Sequence, residues 1–262
     1  MCTVTFIPSG NKIFLTSNRD ERLRRKQALP PRFYIHNDVQ LLYPRDEDAG
    51  GSWIAVNENG NTAVLLNGAF NKHAPFSAYR KSRGLILLDI IRANLPATYF
   101  SKIDLSGIEP FTVIIVEAGN LFECRWNGIR KFCKRLEITH AYIWSSATLY
   151  APEIQTLRQE WFKEFLSKNP VATKKDLHKF LLHYNDDENG FIMNRNESVK
   201  TCSISLIEID HQQAAFDYFD LLKGDSNKHV ISLHGDTIAS EKYSNQYRTV
   251  MPIAVHNNKI SG

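Results

Sequence analysis

A chain of 262 residues with 32 Lys and Arg against 28 Asp and Glu, a formal net charge of +4, is nearly balanced for its length. Its cations are mostly interspersed with acidic residues, and neither a nucleic-acid-binding motif nor aromatic-basic interleaving is present, so no nucleic-acid partner is expected. Apolar runs such as 84–88 and 113–116 stop far short of the roughly 20 residues of a membrane-spanning helix, so no integral membrane association is expected.

The N-terminus lacks a basic region followed by an apolar stretch and a cleavage site, so the expected address is cytoplasmic. No repeat or Pro/Gly/Ser linker divides the sequence, and residues 1–262 read as a single domain. Residues 2–7 and 13–17 are β-rich runs around the turn residues Pro8-Ser9-Gly10-Asn11 and read as a hairpin. Residues 53–56 and 62–66 flank a turn containing Asn59-Gly60, a second hairpin. Ser82 and Gly84 precede an apolar stretch, 85–91, that reads as a buried helix before Pro96.

Residues 111–117, 121–126 and 129–134 form an expected meander with turns at Gly119-Asn120 and Asn127-Gly128. Another strand is expected at 142–144. Pro152 opens a helix to about Leu166, with Ile154, Leu157, Trp161 and Phe165 on one face. Thr173 caps a further helix holding Leu177, Phe180 and Leu181. Strands resume at 202–209 and 214–219, and the last forty residues or so are polar and poorly periodic. Strand pairs on both sides of a helical block predict an α+β protein of antiparallel hairpins.

Of four cysteines, Cys124, Cys133 and Cys202 read as small buried hydrophobes, with no CxxC pair and no zinc-site spacing. His178 and His183 stand five apart on a helix and match no ligand pattern, so neither a metal nor another cofactor is expected. Asp46-Glu47-Asp48 beside Gly50-Gly51 does not make a phosphate loop, because GxxxxGK[ST] is absent and carboxylates repel phosphate. Trp53 reads as core.

Cys2 is chemically different. In an antiparallel hairpin opposed residue numbers have a constant sum, here about 20 give or take one, which sets Cys2 against Asn18 or its neighbour. The run Asn18-Arg19-Asp20-Glu21 is thereby brought to the chain terminus. Removal of Met1 would free an α-amine whose ordinary pKa, about 7.7 to 8.0, suits a general base for the thiol on the same residue. Arg19 would favour the thiolate and Asp20 would orient the ammonium form. Composition alone also permits a solvated charged turn at 19–21. Arg22, Arg24, Arg25, Lys26 and Arg32 follow, as a basic loop or a receiver of an anionic group.

Met1-Cys2-Thr3 with Asn18-Arg19-Asp20-Glu21, followed by Arg45-Asp46, 49–53 (AGGSW) and 63–67 (AVLLN), closely resembles the NRDE family, which includes the transport and Golgi organization protein 2 homologues. That family resembles the N-terminal nucleophile (Ntn) cysteine hydrolases acting on bile-salt conjugates and penicillin V. The resemblance implies a four-layered αββα sandwich of antiparallel sheets. It also implies Cys2 as nucleophile, Arg19 and Asp20 as its support, and Asn67 as a donor to the tetrahedral oxyanion. Asn67 also stands opposite Gly51 in the second hairpin, where a small residue would leave room for substrate, or simply ends a strand. Trp144-Ser145-Ser146 stands where the family has LSN, with Ser146 in place of asparagine, and 200–203 (KTCS) lacks an arginine often found there.

The resulting expectation is a cysteine amidohydrolase that cleaves a non-peptide amide of a small molecule through an acyl-enzyme. The competing expectation, which the resemblance permits, is a non-catalytic carrier or trafficking protein for a hydrophobic ligand such as haem or an acyl lipid.

Overall fold

A computed structural model of the chain describes residues 3–74, 78–183, 188–195 and 198–234. Strands β1 (Thr3–Ser9) and β2 (Lys12–Arg22) form the first expected hairpin. Its turn places Gly10 at φ +60°, a conformation that glycine adopts without a Cβ penalty. Thr3 faces Asn18 and Ser9 faces Lys12, the upper edge of the expected register.

The chain then builds a whole sheet from consecutive strands. These are β3 (Leu29–His36), β4 (Val39–Arg45), β5 (Ile54–Asn57), β6 (Thr62–Asn67), β7 (Phe111–Glu117), β8 (Asn120–Trp126) and β9 (Lys131–Leu136). They lie side by side in that order, every pair antiparallel. Between β6 and β7 come α1 (Arg83–Ile91), with the Ser82 side chain accepting from the Leu85 N–H, and α2 (Pro96–Lys102).

The first sheet is completed by distant strands: β10 (Tyr142–Ser145), β11 (Asn194–Arg195), β12 (Val199–Ile209), β13 (Gln213–Asp220) and β14 (Asp225–Ser232). Its order is β10-β1-β2-β12-β13-β14, with β11 paired to β12. Helices α3 (Pro152–Lys168) and α4 (Lys174–His183) link β10 to β11.

Four layers follow from where apolar side chains go. Val4, Phe6, Leu15, Ile207 and Phe216 of the first sheet share one core with Val64 and Ile114 of the second. Ile7, Phe14, Ile204 and Leu206, on the opposite face of the first sheet, pack against Phe162, Phe165, Leu177 and Phe180 of α3 and α4. Helix α1 covers β5 and β6, while α2 covers β7 to β9. The fold is α+β, an αββα sandwich, as expected.

Several local expectations need correction. The inward face of α3 is Arg158, Phe162, Phe165 and Leu166, not the stripe through Ile154, Leu157 and Trp161, which are only partly covered. An apolar-periodicity reading cannot choose a face that carries a buried arginine. Strands β3 and β4 and helix α2 were not anticipated; Pro30-Pro31 blurs the alternation of β3, and Pro96 starts a second helix as well as following the first. The polar stretch after Phe219 includes β14, a sheet-edge strand whose residues are largely exposed.

Candidate functional site

The polar run at the end of β2 is not a solvated turn. Strand β2 lies between β1 and β12, with Asn18 opposite Ile204, Arg19 opposite Ser203 and Asp20 opposite Thr201, the register shifting between Thr201 and Ser203. Asn18 is fully buried, Arg19 is 3% exposed and Asp20 is 5% exposed. Their side chains turn to different neighbours. Asn18 Nδ2 donates to the Phe191 carbonyl at 2.8 Å. Asp20 accepts from Tyr150 Oη at 3.0 Å and from Thr201 Oγ1 at 2.6 Å.

Arg19 donates from Nη2 to Asp46 Oδ2 at 2.9 Å, and its guanidinium lies 4.7 Å over the Trp53 ring. Asp46 in turn accepts from Arg25 Nη2 and from the Ala49 N–H, each at 2.8 Å. Burial pushes the Asp46 carboxyl up, but the Ala49 N–H and the two guanidinium groups outweigh it and hold it below the usual carboxylate range. A depressed folded pKa contributes stability that is fully present above the unfolded value, near 3.9, and is lost as pH falls through the folded value. Asp46→Asn is therefore expected to cost about 1–3 kcal/mol at pH 7, with the difference from wild type shrinking below about pH 4. Thermal unfolding of both proteins across that range measures it.

Asn67 ends β6 and is half-buried. Its carbonyl accepts from Ser146 Oγ at 2.9 Å, which ties the second sheet to the segment after β10. Ser146, 1% exposed, is also within 3.0 Å of Thr148 Oγ1, so its hydroxyl acts on the Asn67 main chain. The β5–β6 register, Ile54 opposite Val64, runs as expected toward Gly51 and Asn67. The small residue at 51 serves a different purpose, however: a Cβ there would lie 2.3 Å from the Gly84 carbonyl carbon. Gly51 and Gly84 let the 49–53 loop press against the start of α1, and the space is filled by backbone.

Arg19 and Asn67 meet on the wall of one open cleft of about 590 Å³. Gly51, Ser52 and Trp53 lie beside them, and Arg83 and Gly84 bring the start of α1. Six cations line this cleft (Arg19, Arg22, Arg24, Arg25, Lys81, Arg83) against the carboxylates Glu21, Asp46 and Glu109. Arg83 is paired with Glu109 at 3.0 Å and Lys81 with Asp89. Trp53 Nε1, in a residue 2% exposed, is a donor without an acceptor among the described residues. Of the basic run, Lys26 lines a smaller neighbouring cavity of about 240 Å³, and Arg32 lines neither.

Cys2 and Met1 lie outside the described residues. Their described neighbour is Thr3, whose hydroxyl accepts from Arg158 Nη1. Sequence reasoning missed Arg158. Its Nε donates to the Asn189 carbonyl at 3.0 Å, Nη2 to the Gly190 carbonyl at 2.5 Å, and its guanidinium sits 3.7 Å over the Tyr150 ring. The one available signal was its spacing of four and seven residues from Phe162 and Phe165, since arginine is rarely assigned to a buried face. The role of Asp46 as partner of Arg19 was likewise not anticipated, and Cys133 is exposed rather than buried. Among the described residues no cluster of His, Cys, Asp and Glu could hold a metal ion, and no helix is long and apolar enough to cross a membrane.

A profile of the family described as Transport and Golgi organisation 2 matches residues 1–259. No curated protein sequence matches significantly. Among solved structures, a variant of conjugated bile acid hydrolase from Clostridium perfringens with its second-position cysteine changed to alanine superposes with TM-score 0.53 at 10% identity. The match covers 91% of this chain and 98% of that one. The Caenorhabditis elegans orthologue of N-acylethanolamine-hydrolyzing acid amidase gives TM-score 0.55 at 11% identity, over 79% of this chain and 92% of that one. At such identities the likeness is one of fold, the sandwich shared with amide-cleaving N-terminal nucleophile hydrolases.

Proposed function

This chain belongs to the Transport and Golgi organisation 2 family, and from that premise we propose that it is an N-terminal-nucleophile cysteine amidohydrolase. The observation that carries this reading is the shared cleft: Arg19 from the first sheet and Asn67 from the second, distant in sequence, line one open volume at the end of the β1–β2 hairpin. Cys2 is covalently joined to Thr3, the first residue of that hairpin.

In the proposed reaction the Cys2 α-amine, freed by removal of Met1, takes the thiol proton as sulfur attacks the amide carbonyl carbon. The Asn67 side-chain amide donates to the oxyanion, and the ammonium returns the proton to the departing amine. Water then hydrolyses the thioester. Arg19 raises the local positive potential, moderated by its pairing with Asp46 and Glu21. Asp20 and Asn18 brace β2 from its helix-facing side through Tyr150, Thr201 and Phe191. Ser146 positions Asn67 through its carbonyl. The excess of cations around the cleft suits a small amide substrate carrying an anionic group.

An electrophilic acyl probe tests the reading by intact mass and peptide mapping. One acyl group on Cys2 is expected; labelling that falls on Cys133 or Cys202 instead would reject it. In a screen of N-acyl amides, carboxylate-bearing members should be turned over faster than neutral analogues. Asn67→Ala should then lower kcat about 10²- to 10³-fold, as the loss of one oxyanion donor does elsewhere, with KM little changed.

A further inference from the structure

Away from the cleft, strands β8 and β9 place two cysteines directly opposite each other, Cys124 and Cys133. Directly opposed residues of an antiparallel pair have Cα atoms about 4.5 to 5.5 Å apart, inside the window of about 4.4 to 6.8 Å that a disulfide spans. The two Sγ atoms approach to 2.7 Å. Their environments differ. Cys124 is fully buried in the core, whereas Cys133 is exposed on β9, the outermost strand of its sheet.

We infer that Cys124 and Cys133 form a peroxide-sensitive thiol pair, a modification site at which oxidation joins β8 to β9 by a cross-strand disulfide. The exposed Cys133 thiolate attacks a peroxide oxygen, breaking the O–O bond and giving a sulfenic acid and water after proton uptake. Cys124 sulfur then attacks the Cys133 sulfur; an S–S bond forms, the S–O bond breaks, and the thiol proton leaves with the hydroxyl as a second water. Two thiols are oxidised by two electrons and one peroxide is reduced.

The thiol contacts divide these roles. The Cys124 thiol beside Cys133 holds the Cys133 thiol below its usual range although burial opposes it. Cys124 itself is pushed up by that contact and by burial. Accessible attacker and shielded resolver are thus adjacent by register. The site does not depend on the proposed hydrolase activity.

The test uses the full chain, as wild type and as Cys2→Ala, treated with hydrogen peroxide and examined without reductant. Both should yield one peptide pair joining residues 124 and 133 and gain about 5 °C in Tm that dithiothreitol reverses, and Cys2→Ala, which lacks the other reactive thiol, should lose about 2 Da. Cys133→Ser should show neither the linkage nor the shift. Oxygen addition at Cys133 without the linked pair, or linkage through Cys202 instead, would overturn the inference.

Discussion

Cys2→Ala is expected to lower kcat for an amide turned over by the wild type at least about 10³-fold, because alanine removes the group that forms the acyl-enzyme. Binding should survive better than turnover. The cleft walls come from Arg19, Asn67 and the 49–53 loop, none of which the substitution touches, so ligand affinity should change only a few-fold. A protein that retains Met1 should lose about 10²-fold or more even with the thiol intact, since a blocked amine cannot serve as general base. Intact mass sorts the two populations, and steady-state kinetics on each separates nucleophile from base. Wild-type rates from Cys2→Ala would remove the hydrolase reading altogether.

Arg158→Ala is expected to destabilise the protein by about 3–5 kcal/mol. Three acceptors lose their donor together: the Thr3 hydroxyl and the carbonyls of Asn189 and Gly190. The large side chain, 1% exposed, also leaves a void against Tyr150 and Phe191. Relief of the desolvated charge offsets part of this loss, but not the void. Arg158→Lys keeps the charge and loses the fork, so it should fall between the two. Urea unfolding measures the order wild type, Lys, Ala. Because Thr3 faces Asn18 across the hairpin and follows Cys2 in sequence, Thr3→Val offers a milder probe, expected to reduce turnover more than stability.

What could be read beforehand was whatever depends on local pattern. The Gly10 and Asn59-Gly60 turns, the three-strand meander read over 111–134, the helix after Ser82 and the apolar face of α4 all rest on contacts within a few residues, and each was legible, the last strand of the meander lying two residues later than read. The Thr173 cap belongs with them, its hydroxyl accepting from the Asp176 N–H. Non-local compensation was not legible. Nothing within 19–21 says that β12, far along the chain, will bury it, or that Asp46 will meet Arg19. Arg158 is the sharpest case, since two of its three acceptors are carbonyls, at 189 and 190, and carbonyls carry no sequence signature. Residues around the site could be nominated from motif resemblance; which of them share a cleft required the fold.

The two sheets also differ in the order in which a ribosome delivers them. The second sheet is contiguous, each strand pairing with the one just made, and can form during synthesis. The first hairpin must wait for β12, which emerges roughly 190 residues after the β2 residues it pairs, about 10–40 s at ordinary elongation rates. Throughout that interval the first sheet is missing its central partner. The topology thus sets an order of assembly: one layer can close strand by strand as it emerges, and the other only as translation nears its end.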